Sequence, residues 1–339
     1  MRHAAFLVGL LGLLPAWSTA APPIGVFTIV EGETVVIRDA VRFAAVEGLR
    51  VQPDDIVHTG ERANVARIEF AEGGALDLGP ATRLLLRPRW AEPRSERPSR
   101  IYVSQGWVKL TVTPADRIGL ATPRLDFAEV AGTTVALIRS DAAFVFVESG
   151  SAKLVERADG QPPRRHALAA GQAYDRRGAD AGAAGGRPPV DRIKSLPRSF
   201  TDTLPRRAAA FRDAQVAPQA PAAIAYEDVA PWINAERALR PAFVQRWSTK
   251  ARDARFRTAL IADLRLHPEW DRVLYPEKYI VKKEPDPPMP TPIVTRVEPL
   301  PAAAAPEAPA AAPPPVADAA AAPAEDPTRK PLRPWETRR

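Results

Sequence analysis

The clearest hydrophobic pattern lies in the first third of the chain, where apolar and charged side chains alternate. Ala66, Ile68 and Phe70 fall on one side of an extended chain, while Arg67 and Glu69 fall on the other. This two-residue period is typical of a β-strand with one buried face. We therefore predict that the three apolar residues point into a core and that the two charged residues face water. Turn-forming residues interrupt the pattern at Glu31-Gly32-Glu33, Pro53-Asp54-Asp55, Glu72-Gly73-Gly74 and Gly79-Pro80.

Short strands of the same kind continue through the first half of the chain. In one of them Val108 and Leu110 are predicted to point inward, and Lys109 is predicted to face water. The strands recur every eight to twelve residues, roughly, and no helical period occurs among them, which favours a sandwich or barrel. The pattern predicts a mainly β domain over residues 24–178, of jelly-roll or related β-sandwich type.

A small helical region is predicted over residues 190–283. Asp228–Leu239 has the pattern of a helix with Pro231 in its first turn. Asp253 is positioned to cap a further helix, on which Phe256 and Leu260 share one face at a spacing of four residues. Because each helix has only a narrow apolar stripe, we expect these helices to pack on one another or on the β domain.

Two stretches lack any periodic pattern. Residues 175–189 are rich in glycine and arginine and are predicted to form a linker. Residues 284–339 begin with a long run of proline, alanine and acidic residues, which predicts a disordered tail without a core.

The N-terminus has the features of a secretory signal peptide over residues 1–20. Arg2 and His3 precede an apolar run of thirteen residues, and Ser18-Thr19-Ala20 supplies small residues for cleavage before Ala21. The apolar run is shorter than the ~20 residues that span a bilayer. We therefore predict a mature periplasmic protein without a transmembrane anchor.

Composition removes several classes of function. The chain contains no cysteine, which excludes disulfides, thiolate metal sites and lipidation of the mature N-terminus. The net charge is +7, and the segment 205–283 accounts for much of it with fifteen Lys/Arg against nine Asp/Glu. Export and the absence of RNP, zinc-finger or basic-zipper patterns argue against a nucleic-acid partner.

Several segments together resemble the periplasmic FecR domain, a family named after the sensor of iron-dicitrate uptake. The segments occur in the family's order and cover residues 24–178, roughly half of the chain. The resemblance implies a β domain that recognises another envelope protein. The positions that match the family's pattern are Asp55, Thr59-Gly60, Gly73-Gly74, Gly132-Thr133, Gly150 and Gly171-Gln172.

The sequence departs from that family in three places. The regulator that names the family has a cytoplasmic segment that handles a sigma factor, whereas only three residues precede the apolar run here. We therefore do not expect this chain itself to regulate a sigma factor. Asp54 also stands where glycine is common, and Ser149 stands where glutamate is usual.

No catalytic, metal-binding or cofactor-binding group of residues emerges from the sequence. The histidines have no ligand partners at suitable spacing, and Asp54-Asp55 fits a turn. Gly132-Thr133-Thr134 lacks the lysine and the glycine spacing of a phosphate loop, and favours a close approach between strands. Ser149-Gly150-Ser151 lacks the context of a nucleophile. The chain is therefore predicted to be a non-enzyme without a cofactor.

Two hypotheses of function follow. The first is an exported binding or sensor module that recognises an envelope protein or signal. The alternative is a cell-wall or polysaccharide binder that uses basic and tryptophan side chains, although Trp232, Trp247 and Trp270 at helical positions favour a core role. The sequence identifies neither the ligand-binding residues nor the ligand.

Overall fold

The structure is a computed structural model, and it describes most of the chain between residues 22 and 280. Within this span, it leaves out residues 93–99, 114–115, 117, 158–159 and 179. The predicted signal peptide, residues 1–20, and the predicted tail, residues 284–339, lie outside the described residues and stay predictions.

The described part of the chain is mainly β, as the sequence predicts, and contains sixteen strands. The strands are β1 Gly25–Glu31, β2 Thr34–Arg38, β3 Val41–Ala44, β4 Arg50–Val51, β5 Ile56–Thr59, β6 Val65–Phe70, β7 Ala75–Leu78, β8 Arg83–Leu86, β9 Ile101–Val112, β10 Leu120–Ala121, β11 Leu125–Ile138, β12 Ala142–Glu156, β13 Arg164–Ala169, β14 Ala173–Arg177, β15 Ala183–Gly186 and β16 Gln219–Ala223. The helices are α1 Val190–Lys194, α2 Tyr226–Ile233, α3 Arg240–Trp247, α4 Ala254–Ala262 and α5 Asp271–Leu274.

All strands belong to one hydrogen-bonded network that divides at β9. The main path runs β15-β14-β12-β11-β10-β9-β8-β5-β2-β3-β16, and a branch runs from β9 through β7, β6 and β1 to β4. The first part of β9 pairs with β8 and the later part with β7. All pairs are antiparallel except β9 with β10.

Glycines allow the long strands to bend at this division. Gly106 in β9 has φ +105°, and a Cβ there would lie 2.3 Å from Cα of Thr82. Only glycine fits such a close approach in the left-handed region. The two arms of the network share one hydrophobic core, which we call the main core. Members of that core come from both arms, for example Val36, Val57 and Leu84 from one and Ala66, Ile68 and Leu76 from the other.

The helical region packs on one arm of the sheet and not only on itself. Its own core contains Trp232, Trp247 and Trp270, together with apolar side chains of the sheet. Asp253 caps α4 as predicted, accepting a hydrogen bond from the backbone N–H of Phe256 at 3.0 Å.

Two sequence predictions in this half of the chain are wrong in detail. The helix predicted over Asp228–Leu239 is α2, Tyr226–Ile233, so Pro231 lies inside the helix and not in its first turn. Leu239, at the predicted end, reaches the same core from the turns that follow the helix. The linker predicted over residues 175–189 contains β15, which pairs with β14. Its Ala and Gly residues pair through main-chain hydrogen bonds, which require no side-chain pattern.

The charged face that the sequence predicts to be in water is covered. Arg67, Glu69 and Lys109 are at most 7% exposed. A segment from far along the chain, residues 196–212, lies over this face, and we call it the cover segment. Alternation predicted the inner face correctly for Ala66 and Ile68, which are fully buried. The sequence pattern contains no information about the cover on the opposite side.

Glu69 is therefore buried more deeply than Phe70, although Phe70 packs against the main core as predicted. Phe70 is only half-buried at the margin of the main core. The Glu69 carboxylate accepts backbone hydrogen bonds from Arg207 at 2.7 Å and Ala208 at 3.2 Å. Its burial is thus matched by two donors from the cover segment.

We expect Glu69→Ala to lower the free energy of unfolding by about 1–3 kcal/mol, because two N–H groups lose their acceptor. Glu69→Gln, which keeps one acceptor oxygen, should cost less than Glu69→Ala. Urea unfolding of the three proteins measures both differences. A change within about 0.5 kcal/mol for Glu69→Ala, as for an exposed residue, would contradict this role.

Beside Glu69 lies a buried ion pair between Arg67 and Asp77. Their closest atoms, Nε and Oδ1, are 3.3 Å apart, and both side chains are about 95% buried. Burial raises the pKa of Asp77 to about 6, although the charges of Arg67 and Lys109 act in the opposite direction. The folded state therefore holds a proton on Asp77 more tightly than the unfolded chain does.

This raised pKa predicts a particular pH dependence of stability. The contribution of Asp77 is fully present below about pH 4 and is lost as pH rises through about 6. Asp77→Asn does not titrate, so the stability of this variant relative to the wild type should increase between those values. Unfolding free energies of both proteins at several pH values test this. A difference independent of pH would exclude the raised pKa.

Candidate functional site

Two parallel rows of side chains cross the outer face of β2, β5, β8 and β9. The first row is apolar and consists of Ile37, Ile56, Leu85 and Tyr102, each opposite the next across the sheet. All four are at most 3% exposed, because the helical region packs on them.

The second row is polar and lies directly beside the first. It consists of Val35, His58, Arg83 and Gln105, each opposite the next across the sheet. A register shift between β8 and β9 brings Gln105 opposite Arg83. The helical region reaches this row only at its edge, where Val35 packs against the helical core, and all four side chains stay partly exposed.

The uncovered row forms the floor of a cleft of about 370 Å³. Arg42 of β3 and Asp228 of α2 form an ion pair of 3.0 Å along the cleft. The remaining lining residues are Glu33, Ile37, Thr59, Gly60, Glu61 and Ala81. The cleft therefore combines both signs of charge with neutral hydrogen-bonding groups.

His58 is fixed in the floor by a tryptophan of the helical region. The indole Nε1–H of Trp232 donates to Nε2 of His58 at 2.7 Å, and the two rings are stacked within 14° of parallel. An N–H donor requires the lone pair of Nε2, so the neutral ring carries its proton on Nδ1. Burial, assisted by the charges of Arg83 and Arg42, lowers the pKa of His58 to about 4.

These contacts define what the cleft can do chemically. His58 is neutral at physiological pH, and its Nε2 lone pair is occupied, so this atom cannot take a proton from a substrate. Arg83 contacts the side-chain oxygen of Gln105 at 3.5 Å, and no ion pair of Arg83 occurs among the described residues. The floor thus offers guanidinium and imidazole N–H donors, which suit the oxygen acceptors of a bound molecule.

The other two described histidines serve the fold, as the sequence predicts. His267 is fully buried and contacts the side chain of Asn234 at 2.8 Å and the carbonyl of Leu260 at 3.0 Å. His166 lies 3.1 Å from the Glu156 carboxylate, a partner that sequence spacing did not reveal.

The aspartate pair in the turn also has a structural position. Asp54 adopts a φ of 65°, and Asp55 is fully buried. The Asp55 carboxylate accepts from Gln52 N at 2.8 Å and from two nitrogens of Arg38. The first contact is the local turn bond that the sequence predicts, and the second links the turn to β2.

Gly132 brings two strands close together, as predicted, and Gly150 on the neighbouring strand does the same. A Cβ on Gly132 would lie 2.3 Å from the Ser149 carbonyl oxygen, and one on Gly150 would lie 2.1 Å from that of Ala131. Thr133 N donates to Ser149 Oγ at 3.1 Å. These contacts link β11 and β12.

All three tryptophans of the helical region are core residues. Trp232, Trp247 and Trp270 have no exposed surface. None of them therefore offers a ring face to a sugar at the protein surface.

Sequence reasoning did not identify Arg83 and Gln105 as site residues. Arg83 follows a turn and begins a strand, which is an ordinary position for a solvated arginine. Only the pairing of β5 with β8 and of β8 with β9 places both side chains beside His58. The alternating position of His58 in Ile56–Thr59 was the one available signal.

Two observations concern other classes of site. No group of three or more potential ligands is arranged for a metal ion within the described residues. In the same part of the chain, no helix is long and apolar enough to cross a membrane. Neither observation extends to the residues outside the described ranges.

Comparison with known proteins gives little further information. No protein-family profile matches the chain, and no curated protein matches it. One solved structure with a detectable likeness is described as that of a "putative anti-sigma factor from Parabacteroides distasonis". The likeness has 11% identity and a TM-score of 0.32, and covers 39% of this chain and 59% of the other. A likeness this weak indicates no role for this chain, and the FecR-like resemblance stays a prediction from motifs.

The burial of His58 beside Trp232 predicts how its imidazole titrates. Its ring resonances in an NMR titration should stay those of a neutral imidazole from pH 8 down to about 5, in keeping with a pKa of about 4. Trp232→Phe removes the N–H that favours the neutral ring, so the pKa of His58 should rise in this variant. A pKa near 6.5 for wild-type His58, the ordinary value, would contradict the burial of the ring.

Proposed function

We propose that this protein is an exported, non-catalytic binding module whose cleft holds part of an envelope protein or signal molecule. One observation carries the proposal. Across one sheet face, the helical region buries the apolar row completely and leaves the adjacent polar row open as a cleft. In binding sites, a small number of polar groups in fixed positions orient the bound molecule and give specificity.

The chemistry of the floor supports binding and not turnover. The ring of His58 is held by Trp232 with its Nε2 engaged, and Arg83 presents further donors beside it. The signal-like N-terminus and the FecR-like motifs support a role in the periplasm, with another envelope protein as the partner.

The alternative, a cell-wall or polysaccharide binder, has less support. Trp232, Trp247 and Trp270 would be its natural stacking platforms, and all three are buried. Basic side chains on the helical region remain available for anionic glycans, so the alternative is retained as an outcome of the test.

The proposal is tested by photo-cross-linking in cells that express the full chain. A photoreactive residue at the exposed rim position 61 should capture a discrete partner, whereas one at the exposed position 151 on β12 should not. Replacing Arg83 and Gln105 together by Ala should reduce capture at position 61 by about tenfold or more, as expected for the loss of a few hydrogen bonds. Melting temperatures establish that the double variant is folded.

Each outcome has a definite meaning. Capture of a protein from the envelope supports the proposal. The alternative is supported if the wild type is retained on purified peptidoglycan and the double variant that lacks Arg83 is not. Equal capture at the two positions, or capture unaffected by the double variant, would refute a binding role of the cleft. Deletion of residues 190–283 is a poorer test, because it would expose the apolar row of the sheet.

A further inference from the structure

The backbone of the cover segment, residues 196–212, accepts and donates several hydrogen bonds with charged side chains of the sheet. Two of its side chains add bonds of their own: Arg207 donates to the carbonyl of Thr28 at 2.9 Å and pairs with Glu47, and Ser199 donates to the carbonyl of Asn64 at 3.0 Å. Lys109 Nζ donates to the carbonyl of Phe200 at 2.6 Å, and the Glu69 carboxylate accepts from the N–H groups of Arg207 and Ala208. At the far end, Arg50 Nη2 donates to the carbonyls of Phe211 and Arg212 at 2.7 and 2.6 Å. Charged side chains of the sheet thus bind both ends of the segment through its main-chain N–H and C=O groups, which every polypeptide possesses.

A single aromatic side chain supplies the principal apolar contact. Phe200 is 1% exposed and packs among Trp107, Val135 and Phe144. Gly79 permits the close packing beside it, since a Cβ there would lie 2.8 Å from Cβ of Trp107 and 3.1 Å from Cγ of Pro197 in the cover segment. Leu196 and Leu204, on either side, are only partly buried.

Beneath the segment, the charged side chains of Arg67, Glu69, Asp77 and Lys109 lie beside the apolar cluster that surrounds Phe200. Nε and Nη1 of Arg67 and Oδ1 of Asp77 have no hydrogen-bond partner, although they are buried. Burying ions with incomplete hydrogen bonding is costly, and an apolar face would suit a permanent cover better. Removal of the segment would let water solvate Arg67, Glu69, Asp77 and Lys109, which offsets part of the cost of opening.

The segment itself has little internal structure to resist opening. Its regular elements are two short 3-10 turns, Arg198–Phe200 and Ala208–Phe211. Segments with few buried apolar contacts open locally at much lower free energy than a domain core.

From these contacts we infer that the charged sheet face is a polypeptide-binding surface, occupied in cis by residues 196–212. Its other occupant is an extended segment of a partner protein that carries an aromatic side chain at the place of Phe200. The partner segment would receive the same bonds from Lys109, Glu69 and Arg50 to its main chain. Such exchange resembles other modes in which main-chain bonds give affinity and one side-chain pocket gives specificity. This surface is separate from the cleft.

Thiol labelling tests the inference in the full mature chain, since a reagent modifies only an introduced cysteine in a protein that has none. Ser199→Cys places the thiol in the cover segment, where Ser199 is 9% exposed. Thr134→Cys is the matched control, because Thr134 is 2% exposed on β11 opposite Leu110 of the main core. Its hydroxyl has no hydrogen-bond partner, so the substitution should be tolerated.

The cysteine at position 199 should react roughly 100-fold faster than that at 134 in native buffer, since only local opening is needed. A synthetic peptide with the sequence of residues 195–213 should increase the rate at 199 further by occupying the sheet face. The same peptide with Phe200→Ala should bind with an affinity at least about tenfold lower, because the aromatic contact is lost.

Three results would overturn the inference. Equal slow labelling at positions 199 and 134 would mean that the cover segment leaves only when the whole domain unfolds. Fast labelling at 199 without any effect or binding of the peptide would mean that the exposed face does not bind polypeptide. Equal binding of the two peptides would mean that Phe200 is not the anchor. None of these results bears on the cleft, so the proposed function is tested separately.

Discussion

The burial of the apolar row formed by Ile37, Ile56, Leu85 and Tyr102 determines how the rest of the molecule is arranged. These side chains point away from the main core, so the sheet needs a second layer. Helix α3 is fixed there by Arg246, which donates to the carbonyls of Asp54 and Ile37, and by Trp247, which donates to that of Asp39. Asp39 and Asp54 both have positive φ, so the two turns that receive α3 are themselves specified by sequence.

The same constraint creates the candidate site. The second layer must end somewhere on the sheet, and it ends at the boundary between the apolar and polar rows. Trp232 lies at this boundary: its ring belongs to the helical core, while its N–H reaches His58 in the cleft. A stability contact and a site contact therefore share one residue, and the cleft geometry depends on correct docking of the helical region.

The sequence predicted the inner face of the sheet much better than the outer faces. Period-two alternation identifies Ala66 and Ile68, because they point to the face that this strand and its neighbours bury together. The burial of Glu69 depends on Arg207 and Ala208, about 140 residues away, and no local sequence pattern predicts that contact. The cleft was missed for the same reason, since Arg83 and Gln105 become site residues only through strand register. Local signals such as the Asp253 cap, in contrast, were read correctly because donor and acceptor lie three residues apart.

The FecR-like positions are best understood as determinants of the fold. Gly132 and Gly150 permit close contact between β11 and β12, Asp55 ties a turn to Arg38, and Gly73 and Gly74 have positive φ. The Thr59 hydroxyl, at the edge of the cleft, donates to the carbonyl of Gly79. Residues that specify turns and bends constrain the backbone and leave the outward side chains of the same strands free to vary. A resemblance carried by such positions therefore indicates architecture, whereas the ligand has to be read from His58, Arg83 and their neighbours on the sheet face.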